Sequence, residues 1–223
     1  MTAANLVCCV GLQQTGKTHH LDWMLERLHA QPNAPHAIVV DGNGEWPVRP
    51  LRRPAVICRT IQGAVTEVQS KPLVLWQPER PPNQEDVAEL ATAVRGQGRL
   101  LVCPEVHRYI PSGQMAHMPD PLSDIILSSR HRNIRTALWG DTQFFSNVHH
   151  QFISSGTVHV FGQTGRNDLE RLRQMIGPEL VDLVRECARR AADPSHGGLG
   201  EPGWHVTIGP LNRLPGSFQL RRT

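Results

Sequence analysis

Lysine is nearly missing from this 223-residue chain: Lys17 and Lys71 are the only two, and arginine supplies the other 21 of its 23 basic residues. Lysine is therefore dispensable almost everywhere, which singles out the two positions that keep it. Long apolar runs are missing too. The opening apolar stretch at 6–10 has only strand length, far short of the ~18 residues that a membrane span needs, and no charged leader precedes it. Neither export nor membrane insertion is expected, and a cytoplasmic protein is. Paired C-x-x-C spacing does not occur. Cys8, Cys9, Cys58, Cys103 and Cys187 sit mostly in apolar runs, as small core residues of a reducing compartment do, and no zinc site is expected despite twelve histidines. Neither sign of charge is in large excess: a net +3 and a pI near 8.8 permit a polyanionic partner without demanding one. There are no internal repeats and no low-complexity linkers. The 39% hydrophobic content suffices for a full core, and one α/β domain spanning residues 1–223 is expected.

One of the two lysines lies in GLQQTGKT, residues 11–18, which matches the spacing G-x-x-x-x-G-K-[ST]. An apolar strand at 6–10 precedes it, and Leu21, Met24, Leu25 and Leu28 follow at helical spacing, giving the order strand, loop, helix. In such a loop Gly11 and Gly16 let the backbone turn inward, so that successive N–H groups, with those of Gln14, Thr15 and His19, face a phosphate chain at a helix N-terminus. Lys17 places a point charge at the β- and γ-phosphates, and the Thr18 hydroxyl reaches Mg²⁺. The loop points to bound ATP with Mg²⁺ and leaves the reaction open, because kinases, GTPases and motors share the cradle.

Further apolar runs at 37–41, 55–58, 73–76, 99–103, 135–139, 157–161 and 204–208 predict the other strands. Helices are expected near 62–69, from an N-cap at Asn83 to about Arg95, from Pro121 onward, and twice in the last third. Strands alternating with helices imply a mostly parallel sheet with its ligand at the strands' carboxyl ends. Glu105 closes the strand in RLLVCPEVHRYIP and suits a base that orients and deprotonates water. It is also a candidate metal ligand beside Thr18. Gln143, in ALWGDTQFF, offers an amide that both donates to a γ-phosphate and accepts from water. Asp141 beside it reads as an N-cap or loop acid rather than a metal ligand. His107, Arg108 and His131 read as hydrogen-bonding surface groups, and the adjacent pairs His19–His20 and His149–His150 make poor chelates, since helix neighbours do not share a face.

Several segments resemble, in order, those of the FtsK/HerA superfamily of P-loop ATPases. VVDGNGEWP resembles the D-x-x-G-E-[YW] turn after the second strand, LLVCPEVHRYIP the Walker B segment hhhhDEAHRFhP, and SSRHRNIRTALWGDTQ the R-x-x-G-h-x-h-h-h-h-T-Q segment that ends in the sensor glutamine. NDLERLRQMIG resembles the tail of the fold, so the likeness runs through most of residues 5–210. The resemblance implies a RecA-like core in a hexameric ring that pumps double-stranded DNA. Lys17 and Thr18 take the Walker A places, Glu105 the catalytic glutamate and Gln143 the sensor. Pro104 stands where the family has the Walker B aspartate. That departure leaves the metal to Thr18, the phosphates and Glu105 or Asp41.

A bare core of this length is similar to the genome-packaging ATPases of icosahedral viruses with an internal membrane, which implies the host cytoplasm and a portal vertex or its membrane proteins as surroundings. An arginine acting across subunits is expected at Arg130 or Arg132, with Arg166 as the alternative. Arg49, Arg52, Arg53 and Arg80 are candidate DNA-backbone contacts. Two other functions fit the residues: a small P-loop kinase, or a nucleotide-binding assembly factor with weak hydrolysis.

Overall fold

The computed structural model describes residues 6–46, 55–113, 118–128, 136–162, 165–192, 203–209 and 219–221. Within them one sheet of nine strands runs through the molecule. In chain order these are β1 (Leu6–Val10), β2 (Ala37–Val40), β3 (Val56–Cys58), β4 (Leu73–Trp76), β5 (Leu100–Cys103), β6 (Ala137–Thr142), β7 (Thr157–Val160), β8 (His205–Ile208) and β9 (Gln219–Arg221). In space they lie in the order β3-β4-β2-β5-β6-β1-β7-β8-β9. The first seven pair in parallel, and β8 and β9 close the sheet antiparallel. Parallel neighbours need long crossovers. Those are made by α1 (Lys17–His29), α2 (Ile61–Glu67), α3 (Gln84–Ala93), α4 (Asp120–Ser128) and α5 (His150–Ser155), while α6 (Arg166–Ile176) and α7 (Pro178–Ala192) lie between β7 and β8.

Both sheet faces are buried, which is why the strands read as continuous apolar runs rather than alternating ones. The period of two still sorts them. Leu6, Cys8 and Val10 of β1, with Leu101 and Cys103 of β5, join the core beneath α2 to α7. Val7, Cys9, Leu100 and Val102 join the core beneath α1, through Leu21, Leu25 and Leu28. All five cysteines are buried and unpaired, and burial pushes the Cys103 thiol up to about 12 and the Cys187 thiol to about 11. They are core residues, as expected.

The strand expected at 135–139 begins at Ala137 and runs on to Thr142, because Gly140, Asp141 and Thr142 pair with Cys8, Cys9 and Val10 of β1. Asn83 caps α3 in a reciprocal box with Asp86, whose carboxylate also holds Arg80 at 2.8 Å. The polar α5 and β9 carry no apolar periodicity and were not expected. No helix among the described residues is long and apolar enough to cross a membrane.

Candidate nucleotide site

The loop that opens α1 is seated between two strand ends. The Gly11 N–H donates to Thr142 O (3.2 Å) and the Leu12 N–H to Gly162 O (3.0 Å). Inside it, Leu12 O accepts both the Thr15 hydroxyl (2.8 Å) and the Lys17 ammonium (2.7 Å). Gln14 (φ 60°) and Gly16 (φ 95°) take left-handed conformations, and at 95° glycine is the residue without a steric penalty. Gly16 precedes α1 without a side-chain cap, and the first turn carries no acid, so its N–H groups and positive dipole end are presented undiluted. Burial lowers the pKa of Lys17, opposed by the charges of Asp141 and Glu105.

A cleft of about 400 Å³ lies over this helix end, at the carboxyl ends of β1, β2, β5 and β6, the place where parallel sheets take ligands. Of the residues expected at the site, Gln14, Gly16, Lys17, Thr18, His19, Glu105 and Gln143 line it, while Thr15 is buried behind the loop and Gly11 anchors it. Arg166 starts α6, is exposed, and does not line this cleft. Arg130, Arg132 and His131, like Arg49, Arg52 and Arg53, lie outside the described residues.

Asp141 corrects the sequence-based expectation. It is no loop acid but the fifth residue of β6, 4% exposed, and its two oxygens join the two halves of the site. Oδ2 accepts the Thr18 hydroxyl at 2.8 Å, and Oδ1 accepts the Glu105 N–H at 2.8 Å. Burial raises its pKa, against the hydrogen bonds from Glu105 and Thr18 and the Lys17 charge. Two further residues make the arrangement possible. A Cβ on Gly140 would lie 2.5 Å from Val106 Cβ and 2.8 Å from Cys103 O, so only glycine lets the segment after β5 cross β6 this closely. Glu105 itself holds φ 52°, a conformation that costs a non-glycine residue energy and recurs at functional sites.

The Glu105 carboxylate pairs with Arg108 Nε at 2.9 Å, both side chains being about two-fifths exposed. Asp41, by contrast, is committed to the fold: it accepts the N–H groups of Glu45 (2.9 Å) and Trp46 (3.0 Å) and the Gln77 amide (2.7 Å), fixing the turn that walls the cleft. His107 Nδ1 lies 3.2 Å from the Thr142 hydroxyl. Arg108, Tyr109 and Trp46 complete the wall and were not expected there. A Thr hydroxyl and carboxylates beside a phosphate-facing helix end make an all-oxygen donor set, which suits Mg²⁺.

The mostly parallel sheet, the flanking helices and the glycine-lysine loop at the sheet's carboxyl end define a P-loop NTPase fold with a RecA-like core. Among solved structures, the genome packaging NTPase B204 of Sulfolobus turreted icosahedral virus 2 in complex with ATP-gammaS superposes with a TM-score of 0.74, covering 100% of this chain and 98% of that one at 14% identity. Its complex with AMP gives 0.70 at 13% identity, covering 100% and 98%. B204, the DNA-packaging ATPase of Sulfolobus Turreted Icosahedral Virus, gives 0.66 at 12% identity with 98% of each chain covered. Neither a protein-family model nor a curated protein matches the chain. At such identities the likeness is one of fold.

Proposed function

We propose that this protein is an ATPase that drives double-stranded DNA through a ring of its own copies, in the packaging of a viral genome. The observation that carries the hydrolytic part is the Asp141 carboxylate, bridging the phosphate-loop hydroxyl of Thr18 to the backbone of Glu105. The first turn of α1 binds the phosphates through its N–H groups, and Lys17 exchanges Leu12 O for their oxygens. Mg²⁺, when bound, neutralises phosphate charge. Thr18 would hold it, with Asp141 supplying the acid that Pro104 does not. Glu105, once turned from Arg108, orients water and takes its proton, while Gln143 hydrogen-bonds the γ-phosphate and that water.

DNA translocation, the ring and a vertex partner rest on the likeness in fold to B204 and on the arginine-rich composition, which suits phosphate contacts without base reading. Arg130, Arg132 or Arg166 acts on the neighbouring subunit's γ-phosphate. Mixed with Lys17→Ala subunits, the matching arginine-to-alanine subunit regains hydrolysis. Mixed rings that form and stay inactive for all three rule this out. An ATPase assay with and without double-stranded DNA tests the whole. Stimulation is expected, dependence on a small acceptor would instead make the protein a kinase, and no turnover would make it a nucleotide-binding assembly factor.

A further inference from the structure

Sequence spacing gave no reason to expect a metal-binding histidine set, yet the fold gathers one from three elements. His159 on β7 faces Thr207 across the antiparallel pair, so His205, two residues before Thr207, projects from the same face. α1 covers that face and brings His20, three residues after Lys17, onto both rings. The ring centroids lie 4.5 Å (His20–His159), 4.4 Å (His20–His205) and 5.3 Å (His159–His205) apart. One ring nitrogen from each histidine falls within 4.8 Å of the others, and the side chains are 2%, 8% and 1% exposed.

We propose that His20, His159 and His205 form a binding site for a divalent transition-metal ion, Zn²⁺ by its chemistry. Three imidazoles suit zinc and its first-row neighbours and not Mg²⁺. Tetrahedral zinc, with bonds of about 2.0–2.1 Å, spaces its ligand nitrogens about 3.3 Å apart, so the rings need close by no more than about 1.5 Å. The outer contacts are those that orient ligating histidines. His205 Nδ1 lies 2.9 Å from Gly203 O, and since a carbonyl only accepts, Nδ1 carries the proton and Nε2 keeps the lone pair. His159 Nδ1 is 3.1 Å from the Thr207 hydroxyl.

The ion would clip β8 to α1 next to the phosphate loop, where the Gly203 N–H already donates to Thr15 O at 3.0 Å. None of its three ligands lines the nucleotide cleft.

The test uses the full, tag-free chain stripped of metal, without nucleotide, titrated with Zn²⁺ against a chromophoric chelator and with Co²⁺ in the visible spectrum. One tight equivalent per chain is expected, with the intense bands of four-coordinate cobalt and a rise in the thermal midpoint on adding Zn²⁺. His159→Gln and His205→Gln each weaken binding at least about tenfold, whereas His150→Gln, exposed on α5, leaves it unchanged. A wild-type chain that takes up no tight equivalent, or shows only six-coordinate hydrated cobalt, overturns the site. So does tight binding that survives either glutamine variant with its circular dichroism intact. Should those variants not fold, the wild-type cobalt spectrum alone decides.

Discussion

β5 and β6 lie side by side and both run toward the cleft, β6 two residues further, but they divide the chemistry in a way their sequences do not advertise. β5 ends at Cys103 and is followed by Pro104 and Glu105, a glutamate with no acid before it. β6 carries its acid inside the strand, at Asp141, and delivers Gln143 just beyond. In the proposed reading, the carboxylate that Pro104 does not supply comes from the neighbouring strand, where Asp141 accepts the Thr18 hydroxyl at 2.8 Å. A site of this kind is specified by where oxygens converge, and an adjacent strand can supply one as well as the expected strand can.

The comparison breaks most decisively through the shared cradle. Lys17→Ala should abolish ATP hydrolysis whichever strand bears the acid, since Lys71 is the only other lysine; unchanged turnover in a steady-state assay would end the account. Next in size, Glu105→Gln should lower kcat by about 10²–10⁴ while nucleotide binding persists, as removal of a general base does. Loss of binding in a folded Glu105→Gln variant would place Glu105 among the binding groups instead.

Asp141→Asn sharpens the comparison through stability. Because burial raises the Asp141 pKa, the folded chain holds this proton more tightly than the unfolded chain does. That stabilisation is present below the ordinary carboxylate range and is lost as pH rises through the raised pKa. The thermal midpoint of Asp141→Asn relative to wild type should therefore climb as pH rises above the ordinary carboxylate range. A difference that stays flat would mean the carboxylate is not desolvated. Gly140→Ala should cost about 1–3 kcal/mol in denaturant unfolding, as overpacking does, because its methyl would strike Val106 and the Cys103 carbonyl. The smallest effect belongs to Pro104→Asp, which should change the Mg²⁺ requirement little in the wild-type background and more in Asp141→Asn.

Much of this was legible because it is local. Residues 6–29 announce strand, loop and helix in one stretch, and Lys17, Thr18, Glu105 and Gln143 all line the cleft as expected. What was not legible depends on pairing. The apolar run of β6 stops at Trp139, so Asp141 looked like a loop residue, but the ladder to β1 carries the strand on to Thr142 despite the low strand propensity of Gly140 and Asp141. At Gly140 the constraint is tertiary, since the close crossing after β5 leaves no room for a side chain. The histidines of β7, β8 and α1 are 139 and 46 residues apart along the chain, at positions 20, 159 and 205, and only the antiparallel β7–β8 register and the seat of α1 bring them together.

The central claim is that Asp141 takes the place of the acid missing at Pro104. It is tested most directly by titrating Mg²⁺ against binding of a non-hydrolysable ATP analogue to wild type, Asp141→Asn and Glu105→Gln. The account predicts that Asp141→Asn raises the half-saturating Mg²⁺ concentration about tenfold or more, the scale of losing one charge-assisted contact. Affinity without Mg²⁺ should hold, and Glu105→Gln should shift the requirement less. A Mg²⁺ requirement in Asp141→Asn indistinguishable from wild type would contradict it.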